Sequence, residues 1–372
     1  MKTAARFADF SPYTPIEPFE VLSARLGRAP REIVKLDANE NPYGPSPKAR
    51  QALAEMQWPH IYPDPESREL RTALSEFTGV PMQNLVTGAG ADELIDLTLR
   101  LILDPADRVI NCPPTFGMYA FETRLNAGEI IDVPRKPDFS LDLHAIKHAI
   151  EQYQPQVIFL TTPNNPDGSF PAAETINALL EMPVLVILDE AYIEFTGAAG
   201  GRLGENLSRI QQVPRRQNLV VLRTFSKWAG LAGLRVGYGA FPDWILPALW
   251  KAKQPYNVNV AANVAALASL QDVDYLSWNV ARLRTERDLL YDKLKTIPFL
   301  HPYPSQANFI LCQVEGMPAA ELKDVLLHEG IMVRFYDTPL LQNFIRISIG
   351  RPEENKCIVA ALKQIAAERN IT

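Results

Sequence analysis

Lys227 is preceded by Thr224 and Ser226 and followed, eight residues on, by Arg235. An amine, two hydroxyls and a guanidinium are thus drawn from one short stretch. A lysine that loses its proton forms a Schiff base with a carbonyl, and hydroxyls beside an arginine suit an anion. A ligand with both an aldehyde and a phosphate would use every one of these groups, and pyridoxal phosphate is such a molecule. The plainer alternative is a solvated loop lysine, the ordinary fate of this residue type.

Such a set needs a rigid element to hold it. Leu219-Val220-Val221-Leu222 is a continuous apolar run, which reads as a strand buried on both faces. The small residues from Ala229 to Gly233 let a ligand approach the backbone. In an open parallel α/β sheet, ligands bind beyond the carboxyl ends of the strands. A second run, Val184 to Leu188, ends in Asp189, where a carboxylate would keep a pyridine nitrogen protonated. Tyr192, three residues on, would reach the ring's phenolic oxygen. Val157 to Leu160 leads into Thr161-Thr162-Pro163-Asn164-Asn165-Pro166-Asp167-Gly168, which on its own is also an ordinary turn.

Leu85-Val86-Thr87 leads into Gly88-Ala89-Gly90-Ala91-Asp92 and a helical run from Glu93 to Leu103. A glycine-rich strand-to-helix turn aims the N–H groups of Gly90, Ala91 and Asp92 at an anion. Asp92's carboxylate is expected to turn away and cap the helix. The same turn is two-thirds of a dinucleotide fingerprint, but Glu93 stands where a third small residue is required. Further on, Arg346 interrupts Ile345, Ile347 and Ile349. An arginine in an apolar strand is costly to bury unless it meets an anion, or else it lies on the strand's solvated face.

Eight stretches then stand together: Ala38 to Ser46, Tyr62-Pro63-Asp64, Gly90 to Ile95, Pro113 to Tyr119, Pro163 to Gly168, Asp189 to Tyr192, Phe225-Ser226-Lys227 with Arg235, and Ile345 to Ser348. In order and spacing they resemble the fold-type I pyridoxal-phosphate enzymes of the class I/II aminotransferases, and among these the histidinol-phosphate aminotransferase family. The resemblance runs from about Tyr13 to the end of the chain. It implies an α/β fold with a large domain, 38–270, built on a mostly parallel central sheet flanked by helices. A smaller α+β domain, 271–372, follows, and an N-terminal arm, 1–37, associates with it.

The resemblance also assigns roles. Lys227 is the catalytic lysine, and Gly90, Ala91, Asp92, Thr224, Ser226 and Arg235 hold the cofactor phosphate. Phe116 covers the ring, although packing in the core is the alternative for that side chain. Asn165 and Tyr192 bind the phenolic oxygen and Asp189 the ring nitrogen. Tyr62 reaches the cofactor of a neighbouring subunit, making the protein a homodimer with shared sites; otherwise it is a plain turn residue. Tyr13, Asn165, Arg334 and Arg346 bind substrate. The implied reaction converts L-histidinol phosphate and 2-oxoglutarate to imidazole-acetol phosphate and glutamate, in histidine biosynthesis. An aromatic amino acid aminotransferase shares every cofactor residue, and an O-phosphothreonine decarboxylase shares the fold. The pyridoxal-binding module of a transcription regulator would need a helix-turn-helix domain ahead of Ala38.

The 372 residues, net charge of −6 and near-average apolar content describe a globular chain without the basic footprint of a nucleic-acid binder. Three scattered cysteines argue for reduced thiols and against a disulfide framework or a zinc site. His144 and His148 have the spacing of a metal pair but lack a glutamate between them; Ile146 and Ile150 form the expected buried stripe, leaving both histidines in solvent. No metal is expected, no membrane span and no leader, and a cytoplasmic location follows. Further helices are expected from Ser46-Pro47 to Met56, Glu66 to Phe77, Leu141 to Tyr153, Val260 to Leu270, Asp274 to Thr296 and Pro352 to Ala367.

Overall fold

The computed structural model describes residues 17–197 and 207–370, with Thr3, Phe7, Phe10 and Leu203 besides. Among these residues the chain forms two sheets. Twelve strands are numbered in chain order: β1 (Val34–Leu36), β2 (Leu85–Gly88), β3 (Arg108–Asn111), β4 (Glu129–Asp132), β5 (Val157–Thr161), β6 (Leu185–Asp189), β7 (Leu219–Thr224), β8 (Gly237–Ala240), β9 (Leu300–Pro302), β10 (Phe309–Val314), β11 (Ile331–Phe335) and β12 (Phe344–Ser348).

The central sheet has the order β2-β8-β7-β6-β5-β3-β4. β8 is antiparallel to both its neighbours, and all other pairings are parallel. Strands β5, β6 and β7 are buried along their whole length, as their unbroken apolar runs require when helices cover both faces. The carboxyl ends of β2, β3, β5, β6 and β7 therefore open on one side of the sheet. The second sheet has the order β1-β11-β12-β10-β9, with β1 parallel to β11 and the rest antiparallel. β1 thus carries the segment before Asp37 into the second sheet, while the following loop and the helix Pro47–Ala54 return to the first.

Helix Val273–Leu294 joins the two regions. Its buried positions Leu276, Val280, Leu283, Leu290 and Leu294 recur at helical spacing. The helix beginning at Pro47 is capped by Ser46, whose Oγ accepts from Ala49 N–H at 3.2 Å. Ile146 and Ile150 are buried while His144 and His148 are exposed, as their spacing suggests. Among the described residues no cluster of acidic, histidine or cysteine side chains is placed to hold a metal, and no helix is long and apolar enough to cross a membrane.

Candidate active site

The cavity at the strand ends is lined by Ala91, Asp92, Phe116, Thr161, Asn165, Asp189, Ala191, Tyr192, Thr224, Ser226, Lys227, Ala232 and Arg235. Residues from five strand ends, far apart in sequence, share one space. Lys227 lies two residues beyond the phenylalanine that follows β7, and its half-buried Nζ donates to Ala38 O at 3.1 Å. Burial, with Arg346 and Arg235 nearby, pushes its amine down to about 8 against the pull of Glu40 and Asp92. An amine so shifted is partly deprotonated near neutrality and is nucleophilic.

Asp189 sits at the end of β6 in a dry wall. Burial pushes its carboxyl up to about 6, opposed by the Tyr119 hydroxyl, which donates to Oδ2 at 2.7 Å, and the Ala191 N–H, at 3.0 Å from Oδ1. Its remaining lone pairs are available to a cationic partner. At the other end of the cavity, Ser226 N–H donates to Thr224 Oγ1 at 3.0 Å and Thr224 Oγ1 donates to Ser226 Oγ at 2.8 Å. Both residues line the cavity together with Arg235.

Gly90, at φ +84°, precedes helix Ala91–Ile102. A Cβ there would stand 2.5 Å from Arg235 Nη2, so only glycine lets the guanidinium reach the turn. The expectation for Asp92 is overturned. It makes no cap bond; Gly90 is the N-cap, and Asp92 Oδ2 accepts from Arg235 Nη2 at 2.8 Å. The reason is electrostatic: Asp92 is the second residue of the helix, two past the cap position, and its carboxylate meets the Arg235 guanidinium across the cavity mouth.

Phe116 is half-buried on the cavity wall, edge-on to Tyr119 with ring centroids 5.5 Å apart. Tyr192 Oη accepts from Asn39 Nδ2 at 3.0 Å and from Asn165 Nδ2 at 3.5 Å. Arg346 is 5% exposed, with Nη1 donating to Asn165 Oδ1 at 2.6 Å and Nη2 to Asp37 O at 2.7 Å. Its buried Nε has no hydrogen-bond partner among the described residues. Arg334 stands opposite Arg346 on the paired strand, and both guanidinium groups lie over the Tyr336 ring, at 5.5 and 5.7 Å.

Tyr62 is not brought into this cavity. It is 80% exposed and stacks on Tyr256 at 4.7 Å, beside a separate hollow that includes Trp58, Ile61, Val264 and Leu267. Tyr13 lies outside the described residues. Sequence reasoning passed over Tyr119, Thr161 and Asn39. Thr161 Oγ1 lies 2.7 Å from Tyr119 Oη, completing a chain of hydroxyls to Asp189. Tyr119 and Asn39 both fall inside the quoted motifs, but nothing local indicates what they touch.

The model of the family described as "Aminotransferase class I and II" matches residues 31–362. The chain belongs to that family. Among its relatives, the chloroplastic histidinol-phosphate aminotransferase of Nicotiana tabacum is 54% identical over 354 residues, covering 95% of this chain and 84% of the relative. The histidinol-phosphate aminotransferase of Roseiflexus castenholzii is 48% identical, covering 96% of each chain. The crystal structure of the Sinorhizobium meliloti histidinol-phosphate aminotransferase in complex with pyridoxal-5'-phosphate superposes with a TM-score of 0.86 at 28% identity, covering 98% of this chain and 99% of that one.

The chain is a transaminase of fold type I, and its cofactor is pyridoxal phosphate. The donor set of the aminotransferase cavity fits that group. A cation, two hydroxyls and a helix N-terminus stand at one end, a buried carboxyl at the other, and a half-buried amine between them. The close approach of Arg235 to Gly90 leaves no room for a side chain where the anion would lie.

Proposed function

We infer that this aminotransferase acts on L-histidinol phosphate with 2-oxoglutarate, giving imidazole-acetol phosphate and glutamate in histidine biosynthesis. The observation that carries the inference is the pairing of the Lys227 cavity with near-full-length identity to relatives that bear that name. Pyridoxal phosphate supplies an aldehyde that exchanges for the substrate amine and a ring that accepts the electron pair of the departing proton.

The protein's own groups do the rest. Lys227 Nζ takes the proton from the amine-bearing carbon of the substrate and returns it as general acid, a task suited to an amine held near pH 8. Asp189 holds the ring nitrogen's proton, with Tyr119 and the Ala191 N–H fixing its carboxylate. Thr224, Ser226, Arg235 and the N–H groups of Gly90, Ala91 and Asp92 grip the phosphate. Binding there requires Asp92 to release Arg235; both side chains are roughly half exposed, so that exchange is inexpensive. Phe116 covers the ring, and Asn165 and Tyr192 bind its phenolic oxygen. Arg346, with Arg334 beside it, receives the substrate anion, and Tyr13 from the arm completes that subsite.

The division into an arm, 1–37, a large domain, 38–270, and a small domain, 271–372, belongs to the same proposal, as does a cytoplasmic location. So does a homodimer. Its support is the stacked, solvent-facing Tyr62 beside apolar Trp58 and Ile61, both more than half exposed.

The test is turnover by the purified protein with histidinol phosphate and 2-oxoglutarate. Stoichiometric glutamate, formed faster than with phenylalanine as donor, is expected. Faster reaction with phenylalanine, or carbon dioxide release without an acceptor, would overturn the substrate assignment.

A further inference from the structure

The loop of residues 37–41 leaves β1 and runs beneath the cavity. Within it, Asp37 O accepts from Arg346 and Ala38 O from Lys227, and Asn41 Nδ2 donates to Trp228 O at 2.9 Å. Asn39 lies at its centre, 1% exposed and held at φ +56°, a left-handed conformation that asparagine tolerates better than most residues. Three bonds fix it. Its backbone N–H donates to Ser348 Oγ at 2.9 Å, Ser348 Oγ donates to Asn39 Oδ1 at 3.1 Å, and Asn308 Nδ2 donates to Asn39 O at 2.9 Å.

A serine hydroxyl has one proton, and here it goes to Oδ1, leaving the Asn39 NH2 to face Tyr192 Oη at 3.0 Å. Asn165 offers a second amide N–H to the same oxygen at 3.5 Å. A phenol has one proton and limited acceptor capacity. Both partners of Tyr192 are donors, so its own proton has to point away from them. The open direction is the cavity that Tyr192 lines.

We propose that Asn39 is a positioning residue for transamination: oriented by Ser348 and Asn308, its amide occupies a lone pair of the Tyr192 hydroxyl and turns that O–H into the cavity, toward the phenolic oxygen of bound pyridoxal phosphate. A hydrogen bond donated to that oxygen stabilises its negative charge and so lowers the proton affinity of the nitrogen linking Lys227 to the cofactor. Asn39 acts only through Tyr192. The second sheet, through Ser348 at the end of β12 and Asn308 just before β10, thereby sets the protonation of a group beyond the end of β7.

The inference rests on the pyridoxal phosphate reading, and one experiment separates the two. The visible absorption of the holoenzyme is titrated with pH for the parent, Asn39→Gly and Ser348→Ala, each also in a Tyr192→Phe background. Asn39→Gly keeps the left-handed φ without steric penalty, and Ser348→Ala tests the same link should that variant fail to fold. Each single variant should raise the midpoint by about one pH unit, a tenfold change in proton affinity. In the Tyr192→Phe background neither should move it by more than about twofold. Equal rises in both backgrounds, or none in the parent, would overturn the role of Asn39 while leaving the cofactor assignment standing. A parent protein with no visible band would overturn both.

Discussion

Glu194→Gln should flatten the pH dependence of stability between pH 4.5 and about 8. Glu194 follows Tyr192 by two residues in the turn Ile193–Phe195 and is fully buried. Neither carboxylate oxygen has a hydrogen-bond partner among the described residues. The Arg223 guanidinium approaches one of them only to 3.9 Å, because its Nε already donates to Glu190 Oε2 at 3.0 Å. Burial therefore outweighs the arginine and pushes the Glu194 carboxyl from 4.5 to about 8.

The sign follows from proton counting. Between pH 4.5 and about 8 the native protein keeps this proton while the unfolded chain releases it. Stability then falls as pH rises through the window, and the contribution is whole only below the unfolded value. At about 1.4 kcal/mol per pH unit the window carries on the order of several kcal/mol, an upper bound for a buried group. Glutamine keeps the shape and removes the titration. Urea unfolding of the cofactor-free parent and of Glu194→Gln should show a difference that grows by roughly 1 kcal/mol per pH unit from pH 5.5 to 7.5 in favour of the variant. Parallel profiles would mean that Glu194 is ionised in the native fold, and the reasoning about its unpartnered oxygens would fail.

Arg346→Ala should cost about a hundredfold or more in kcat/KM for the anionic donor, as two charge-assisted hydrogen bonds are worth about 1.5–3 kcal/mol each. Cofactor affinity should change only a few-fold; equal losses in steady-state kinetics and cofactor titration would place Arg346 outside the substrate subsite. Gly90→Ala should weaken cofactor binding by roughly tenfold or more, because the new methyl combines a positive φ with a collision on Arg235; unchanged affinity in a fluorescence titration would mean the anion lies elsewhere. Uptake of pyridoxal phosphate by the cofactor-free protein should quicken as pH rises through about 8, following the free amine of Lys227. It should level off above that value; a rate that keeps rising about tenfold per pH unit toward pH 10 would show that the amine is not depressed by its surroundings.

The cavity was largely legible because apolar runs mark the strands that bury both faces, and a change of residue type marks where each strand ends. Thr224, Ser226, Lys227, Asp189 and Asn165 are all found this way, and the structure brings them to one space. What could not be read depends on strand order. β3 lies beside β5, which places Tyr119 on Asp189, 70 residues away; no local pattern encodes that neighbour. Asp92 meets Arg235 across 143 residues, and this long-range pairing prevails over its local tendency to cap. Helices Met118–Leu125 and Ala173–Leu180 and strand β1 were also passed over. Each is short, and β1 takes its strand character from pairing with β11 near the far end of the chain.

The account depends most on which nitrogen carries the cofactor. Holoenzyme reduced with borohydride, digested and sequenced by mass spectrometry reads that nitrogen directly. A pyridoxyl group on the peptide containing Lys227, and on no other lysine, is the predicted result. A label on another buried lysine such as Lys253, or a Lys227→Ala protein that keeps a reducible visible band, would contradict it.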